Sequence, residues 1–296
     1  MDLVRVALRI VMTTIITSLN PYIKRLDDNG VNFGADYQRQ CVESWIGTGA
    51  KVVSLNSRNE IKNLAKMGYD VNFLPVEVRP FEVDGRALPG IADAVQFAAT
   101  LESETVFIVN SDILFSSDDE YLKSVENMIG ENDLVFANRI DINSLKSKSG
   151  DLYPYGYDVF AFHSSRGGDL DLRGFNFGSP WWDYWMPMDA MFSGMNLKWL
   201  RSEHFFHLTH DQAWDWSSWN FGFALFIQKI QSRVNQSGRI VTTGDFGAGF
   251  SNFLLMDVLS DLQKGISSNA AAPHELGMEM SRYIRGVLSG HSSAIQ

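Results

Sequence analysis

The residue that most clearly suggests chemistry is Asp112, which follows an apolar run. The run from Val106 to Val109 leads directly into Asn110-Ser111-Asp112, a pattern typical of a buried strand that ends at a polar edge of a sheet. A carboxylate placed there suits a hard divalent ion, and such an ion neutralises the oxygens of a diphosphate when a bond to it breaks. The alternative is that Asp112 only caps the turn after the strand.

A second group of possible metal ligands lies late in the chain, at His204, His207, His210 and Asp211. Spacings of three residues would bring the imidazoles near one face if the segment were helical, which also permits a separate zinc site. The phenylalanines and the leucine between them equally suit a buried apolar segment with structural histidines. The residue types alone leave these alternatives open.

These side chains must be positioned by elements that the hydrophobic pattern predicts. The first 140 residues alternate β-rich runs with amphipathic stretches, which indicates βαβ units and a mainly parallel sheet with helices on both faces. Predicted strands cover residues 10–18, 51–55, 71–74, 105–109 and 134–137, and predicted helices cover 37–46, 60–67, 91–101 and 119–129. Ligands of such sheets bind at the carboxyl ends of the strands, where we expect Thr17, Ser18 and Asn56.

After residue 140 the alternation ends and the composition changes. Seven of the eight tryptophans lie between Trp181 and Trp219, and helices are expected from Pro187 and over residues 274–288. We predict one domain over residues 1–265, made of the halves 1–140 and 141–265, followed by a tail or docking segment over 266–296. The glycine-rich stretch 244–249 is predicted to be a flexible loop.

Composition excludes some classes of partner. The net charge of −10 and the pI near 5.0 argue against nucleic acid, whose binding depends on Lys and Arg contacts to phosphates. The single cysteine, Cys41, forms no intramolecular disulfide and is expected to be a buried thiol. Residues 7–19 are apolar but shorter than the roughly 20 residues that cross a bilayer, and no cleavage pattern of a signal peptide follows them. We therefore predict a cytoplasmic protein without a transmembrane segment.

The stretch Asn110-Ser111-Asp112 resembles the Asp-x-Asp motif of GT-A glycosyltransferases, which ends a strand at a similar place in the chain. A narrower resemblance is to a group of uncharacterised glycosyltransferase-like proteins that share four motifs in the same order. The motifs are Asn110 to Ile113, Gly156 to Phe160, Gly178 to Trp185 and His207 to Asp211. The resemblance implies an α/β fold with a single GT-A-like, Rossmann-like domain. It also implies transfer of a sugar from a nucleotide-diphosphate-sugar donor to a hydroxyl acceptor such as a glycan.

The same resemblance assigns residues to the donor and the metal. It implies that Asp112 holds Mn²⁺ or Mg²⁺ and that His207 or His210 completes the metal shell. The implied donor contacts are Thr17, Ser18, Asn56, Arg86, Asn110, Ser111 and Asp112. Asn110 departs from the motif, which has Asp at that position, so the implied metal site depends on Asp112.

On the acceptor side, the resemblance makes Asp183 the general base of an inverting transfer, which removes a proton from the attacking hydroxyl. The alternative is that Asp183 only caps the helix expected from Pro187. Asp158 is expected to bind acceptor hydroxyls, and its alternative is a structural ion pair with Arg139 or Arg166. Aromatic rings that can stack on the acceptor sugar are those of Trp181, Trp182 and Trp185.

Two other functions remain open on the sequence. A sugar nucleotidyltransferase uses a related sheet, but its usual glycine-rich, basic loop is missing after Ser18. A carbohydrate-binding protein without catalytic activity would use the tryptophans alone, and Asn110 in place of Asp favours that hypothesis.

Overall fold

A computed structural model describes residues 13–80, 86–102, 104–116, 119–201, 203–210, 215–237 and 272–295. Asp211 and the predicted loop at 244–249 lie outside these residues. The helices are α1 (Gly34–Gly47), α2 (Arg58–Met67), α3 (Ile91–Ala98), α4 (Asp119–Met128), α5 (Trp182–Phe192), α6 (Trp216–Ser237) and α7 (Ala272–His291), with a 3₁₀ helix over Ser164–Asp169. The strands are β1 (Thr13–Thr17), β2 (Lys51–Asn56), β3 (Asn72–Pro75), β4 (Arg79–Pro80), β5 (Ala87–Leu88), β6 (Thr105–Val109), β7 (Ile113–Phe115), β8 (Asp133–Ala137), β9 (Ile140–Ser144), β10 (Ser147–Leu152), β11 (Val159–His163), β12 (Asn196–Leu200), β13 (Phe205–Leu208) and β14 (Ser292–Ile295).

Eight strands form the central sheet in the order β3-β2-β1-β6-β11-β8-β12-β14. Neighbouring strands are parallel except at β11, which runs antiparallel to β6 and β8. Successive side chains of a strand point to opposite faces, and here Ile15 and Ile16 of β1 belong to two different hydrophobic cores. Both faces are therefore covered, and the predicted α/β fold with a mainly parallel central sheet is confirmed.

A smaller, four-stranded sheet has the order β10-β9-β13-β7. Its strand β7 begins directly after the turn at residues 110–112, so this turn joins the two sheets. Strand β13 lies between β7 and β9, antiparallel to the first and parallel to the second. This pairing places His207 of β13 near the end of β6, although the two are distant in sequence.

Helix α5 begins earlier than the sequence suggested. It starts at Trp182, after Trp181, which has a positive φ of 79°, and the Trp185 N–H donates to the Trp181 carbonyl. Pro187 lies inside the helix instead of at its start, and because proline has no N–H, the Asp183 carbonyl lacks its helical partner. Asp183 therefore lies in the first turn of α5, and the alternative in which it caps a helix beginning at Pro187 is wrong.

The C-terminal segment contributes to the main sheet. The helix expected over residues 274–288 is found as α7, and β14 then pairs in parallel with β12 at the edge of the sheet. A short strand that adds to a sheet edge gains a full set of backbone hydrogen bonds on one side. Within the described part of the chain, no helix has the length and apolar character needed to cross a membrane.

Candidate active site

The polar residues that end several strands lie at one edge of the central sheet. The carboxyl ends of the parallel strands β1, β2, β6 and β8 lie at this edge. Because β11 is antiparallel, its first residue lies there too, and Val159 pairs with Val109 on one side and Ala137 on the other. This is the edge at which open α/β sheets bind their ligands.

Asp112 is the centre of a cluster of one carboxylate and three nitrogen-bearing side chains. Its Oδ2 atom lies 2.8 Å from an NH2 group of Arg25, 3.4 Å from His207 Nε2 and 3.5 Å from His210 Nε2. The ligand atoms of Asp112, His207 and His210 all lie within 4.8 Å of one another. One carboxylate oxygen and two imidazole nitrogens form a donor set that fits a divalent ion.

Asp141 orients His207 toward Asp112. The register between β9 and β13 places the two residues opposite each other, and His207 Nδ1 lies 2.9 Å from Asp141 Oδ1. A carboxylate on one ring nitrogen fixes the ring and directs the other nitrogen to the ligand position. Burial lowers the pKa of His207, but Asp112 and Asp141 outweigh it and hold the pKa above its usual value. Burial by itself would raise the pKa of Asp112, but the two histidines and Arg25 hold that pKa well below its usual range.

His204 belongs to a different set of contacts. Its Nδ1 atom lies 2.6 Å from the Ser116 hydroxyl, and its ring stacks on Tyr121 with 3.7 Å between centroids. The segment is a strand, so the helical spacing that would have grouped all three histidines does not apply. His207 and His210 meet at Asp112, whereas His204 has a structural position.

Tyr37 of α1 connects the segments that carry the cluster. Its buried hydroxyl donates to the Asp112 carbonyl at 2.6 Å and accepts from the Leu208 N–H at 2.9 Å. Burial raises the pKa of Tyr37, so the hydroxyl stays protonated and able to donate. The Tyr37 side chain thus joins the turn that holds Asp112 to the strand that holds His207, in addition to the pairing of Ile113 with His207.

We expect Tyr37→Phe to weaken Mn²⁺ binding by about 10- to 100-fold, as for other groups that support metal ligands. The variant loses both hydrogen bonds, which frees the Asp112 turn to move relative to β13. Isothermal titration with Mn²⁺ measures the effect. Tyr69→Phe is the matched control. It removes another buried hydroxyl that contacts α1, at Gln38, but among the described residues this hydroxyl makes no hydrogen bond to Asp112, His207 or His210. Equal losses of affinity in the two variants would contradict a specific role for Tyr37.

A second carboxylate, Asp158, is held by Asn110 and Arg139. The Asn110 side-chain amide donates to Asp158 Oδ1 at 2.8 Å, and Arg139 donates to the same atom at 3.0 Å. The Asp158 side chain is only 5% exposed. The ion pair with Arg139, which was the alternative for Asp158, is therefore present in the structure, and contact of Asp158 with an acceptor stays a prediction. The same contacts explain Asn110, because an aspartate at that position would face another carboxylate at hydrogen-bonding distance.

Arg139 links this carboxylate to the first cluster. Its Nε–H donates to Asp141 Oδ1 at 2.8 Å, and its guanidinium lies 4.1 Å from the centre of the Tyr153 ring. Contacts therefore run without a break from Asp158 through Arg139 and Asp141 to His207. A shift at one end of this chain of contacts changes the position of the other end.

Asp183 is the partly exposed carboxylate at the start of α5. Its Oδ2 atom accepts from the Tyr157 N–H at 3.2 Å. Burial and the nearby Asp158 charge raise the pKa of Asp183 to about 7, against the opposing effect of backbone N–H groups. A carboxylate with such a pKa exists in both protonation states near neutral pH, which suits a group that accepts a proton during a reaction.

Gly156 makes room for Asp183. It has a φ of +76°, and a Cβ built there would lie 2.2 Å from Asp183 Oδ2. The backbone of Gly156 is held on both sides, because its N–H donates to the Tyr184 hydroxyl and its carbonyl accepts from Asn138. An added Cβ at Gly156 would therefore displace the Asp183 carboxylate from its position beside the Tyr157 N–H.

We expect Gly156→Ala to lower the catalytic rate by about 100-fold, the cost of displacing a catalytic group by about 1 Å. Gly194→Ala is the control, since Gly194 has a similar φ of +75° but no atom within 4 Å of an added Cβ. Both variants should lose a similar free energy of unfolding of about 1–3 kcal/mol from backbone strain. Activity assays and denaturant melts separate the two effects, and equal activities in the two variants would refute the prediction.

Several of the predicted contact residues are buried in the structure. The rings of Trp181, Trp182 and Trp185 are at most 3% exposed and pack among core aromatic side chains, so they offer no stacking face to an acceptor. Thr17 is fully buried, and the Asn56 amide is used by Leu19 and Ser54. Thr17 and Asn56 thus lie inside the sheet edge, and their contact with a donor stays a prediction.

Ser18, Ser111 and Arg86 remain predicted donor contacts. Ser18 and Ser111 are partly exposed at this edge. Arg86 is also partly exposed, and its charge adds to the hydrogen bonds from Ser218 and Ser217 that lower the pKa of Asp215. Sequence analysis missed several residues that complete the clusters, because none lies in a recognisable motif and each meets its partner only through the fold. They are Arg25, Tyr37, Arg139 as a link between clusters, and Asp141.

Comparison with known proteins supports the fold. No protein-family model and no curated protein matches the chain. A solved structure of S. aureus TarS, residues 1–349 with UDP-GlcNAc, aligns over 84% of this chain and 71% of that chain, with a TM-score of 0.50 and 13% identity. The inositol-1-phosphate CTP transferase of T. maritima aligns over 72% of this chain and 95% of its own, with a TM-score of 0.43 and 14% identity. The likeness to the TarS structure shows a shared fold.

Proposed function

We propose that this protein is a metal-dependent glycosyltransferase that moves a sugar from a nucleotide-diphosphate donor to an acceptor hydroxyl with inversion. The observation that carries the proposal is the pairing of two centres at one sheet edge. One centre, Asp112 with His207 and His210, suits a divalent ion, and the other, Asp183, is a carboxylate whose pKa is raised to about 7. The fold shared with TarS, whose structure contains UDP-GlcNAc, supports the same function.

Asp112, His207 and His210 would hold the ion, with Asp141 orienting His207. When bound, the ion supplies positive charge to the diphosphate oxygens as the sugar leaves. Arg25 lies beside the same carboxylate and adds a second positive charge for the phosphates.

Asp183 acts on the acceptor. Its ionised carboxylate takes the proton of the acceptor hydroxyl while that oxygen forms its bond to the anomeric carbon. The bond between the anomeric carbon and the diphosphate oxygen breaks in the same step, and the nucleoside diphosphate departs with that electron pair. A single displacement of this kind inverts the anomeric carbon, so the product has the anomeric configuration opposite to that of the donor.

A ligand screen tests this function. Melting temperatures are measured with a panel of nucleotide-sugars, beginning with UDP-GlcNAc, with and without Mn²⁺, because a ligand that binds the folded state raises the melting temperature. A Mn²⁺-dependent rise with one nucleotide-sugar, followed by release of its nucleoside diphosphate with an acceptor, supports the proposal. Release of pyrophosphate from a nucleoside triphosphate and a sugar phosphate would instead identify a nucleotidyltransferase. Glycan binding without any donor binding would identify a carbohydrate-binding protein.

A further inference from the structure

Arg25 is held in a fixed position by the loop between β1 and α1. Its backbone N–H donates to the Asn32 side chain at 2.9 Å, and its carbonyl accepts from the Phe33 N–H at 2.8 Å. Its side chain is only 7% exposed, and the guanidinium lies 5.6 Å from the centre of the Tyr37 ring. A long side chain held at both ends in this way has already lost most of its conformational freedom, so it is preorganised for its position.

The guanidinium contacts the oxygen that a metal ion would need. Among the described residues, it makes hydrogen bonds only to the Lys24 carbonyl and to Asp112 Oδ2, each at 2.8 Å. The same Oδ2 atom is the one nearest to His207 and His210. A divalent ion held by these three residues would therefore be a near neighbour of the guanidinium, and the two positive charges would repel each other in a partly buried place where water screens them weakly.

A diphosphate removes this conflict. Its oxygens carry enough negative charge to interact with the ion and the guanidinium together, and guanidinium groups bind phosphate oxygens through paired N–H donors. The Arg25 Nε–H is buried and has no hydrogen-bond partner among the described residues. The guanidinium therefore retains an unused donor beside the Asp112 cluster, and a movement of its side chain toward a bound diphosphate would bring that donor into use.

We propose that Arg25 couples the binding of the metal ion to the binding of the diphosphate, so that each is weak alone and strong with the other. This inference rests on the proposed function, because it takes Asp112, His207 and His210 as the metal ligands. Arg25 serves as the counter-ion of Asp112 in the free protein and as a phosphate ligand in the complex. The coupling would prevent the site from retaining an ion without a donor.

The test measures Mn²⁺ binding by electron paramagnetic resonance of the free ion, with and without inorganic pyrophosphate as the diphosphate probe. In the unaltered protein, pyrophosphate should increase the affinity for Mn²⁺ by about tenfold or more, a typical size for coupling between sites. Arg25→Met removes the competing charge, so Mn²⁺ alone should bind about tenfold more tightly than to the unaltered protein. In that variant the effect of pyrophosphate should fall to less than about threefold.

Controls make each outcome decisive. Arg39→Met removes another α1-associated arginine, which contacts the Met67 carbonyl and the Tyr69 ring, and should change neither value. Arg25→Gln is a second neutral variant that can still donate to Asp112, and it should repeat the result if Arg25→Met does not fold. Equal or weaker binding of Mn²⁺ alone to a folded, neutral variant would overturn the Arg25 proposal and leave the metal site intact. Absence of Mn²⁺ binding from every variant in both conditions would overturn the Arg25 proposal and the proposed metal site together.

Discussion

Asp183→Asn should lower the rate of sugar transfer by about 10²- to 10⁴-fold, the usual contribution of a general base. The amide has nearly the same shape and can still accept the Tyr157 N–H, but it cannot take a proton from the acceptor. The affinities for Mn²⁺ and the donor should be unchanged, because the metal cluster consists of other residues. Steady-state kinetics and isothermal titration on the same preparation measure both quantities.

The pH dependence gives this prediction a second test. The base must be ionised, so kcat/KM of the unaltered protein should rise with pH and level off above about 7, the pKa of Asp183. Since folding raises that pKa, the carboxylate stabilises the fold most below its unfolded pKa of about 4. That stability is lost as pH rises to about 7. Asp183→Asn should therefore be more stable than the unaltered protein at pH 8, by about 1–2 kcal/mol, with the difference shrinking toward pH 4.

Asp93→Asn is the matched control for this substitution. Asp93 also lies in the first turn of a helix, and burial also raises its pKa. Its carboxylate differs from that of Asp183 in its partner, because it accepts a hydrogen bond from the Gly90 N–H. Its replacement should leave the transfer rate and the pH profile unchanged. If Asp183→Asn keeps more than a tenth of the rate, or keeps the rise near pH 7, another group accepts the proton.

Asp112→Asn should abolish measurable Mn²⁺ binding and lower transfer by about 10³-fold or more, since it removes the only carboxylate of the predicted ligand set. An amide oxygen is a weaker ligand and carries no charge to offset the ion. The variant should also be less stable by about 1–3 kcal/mol at pH 7, because Arg25 is left beside a neutral group in a largely buried position. Mn²⁺ titration, activity and denaturant melts measure these effects.

The direction in which pH changes the stability distinguishes Asp112→Asn from Asp183→Asn. Folding holds the pKa of Asp112 below its usual range, so its stabilising effect is present above pH 4 and is lost as pH falls below that value. The stability difference between Asp112→Asn and the unaltered protein should therefore shrink on acidification. Asp93→Asn again serves as the control for metal binding. Mn²⁺ affinity within threefold of the unaltered protein would show that the ion binds elsewhere.

Much of the fold could be predicted because it depends on local patterns. The alternation of apolar runs and amphipathic stretches predicted four helices and five strands of the first half to within a few residues, since each helix and strand is encoded by the period of its own side chains. The short strands β4, β5 and β7 were not predicted. The start of α5 was missed because a positive φ at Trp181 and a proline inside the helix both depend on neighbouring segments. No periodic pattern contains that information.

The site was predicted only in part. Asp112, His207 and His210 were identified from a strand end and a dense group of ligands, and the structure brings them within 4.8 Å of one another. The tryptophans were assigned to the acceptor because aromatic side chains are common in both sugar sites and protein cores. The sequence does not distinguish these two environments, and burial against α6 places Trp181 in the core.

By itself, the sequence determined the alternating elements, the polar strand ends and the types of ligand available. Only the tertiary structure decided which of them meet. The insertion of β11 antiparallel between β6 and β8 brings Asp158 to the strand ends, and the pairing of β13 with β7 and β9 brings His207 to Asp112 and Asp141. Arg25 and Tyr37 join the cluster from a loop and a helix far away in sequence. The physical reason is that strand order and register are set by long-range hydrogen bonds and by burial of both sheet faces, whereas the pattern of a single segment specifies only its own conformation.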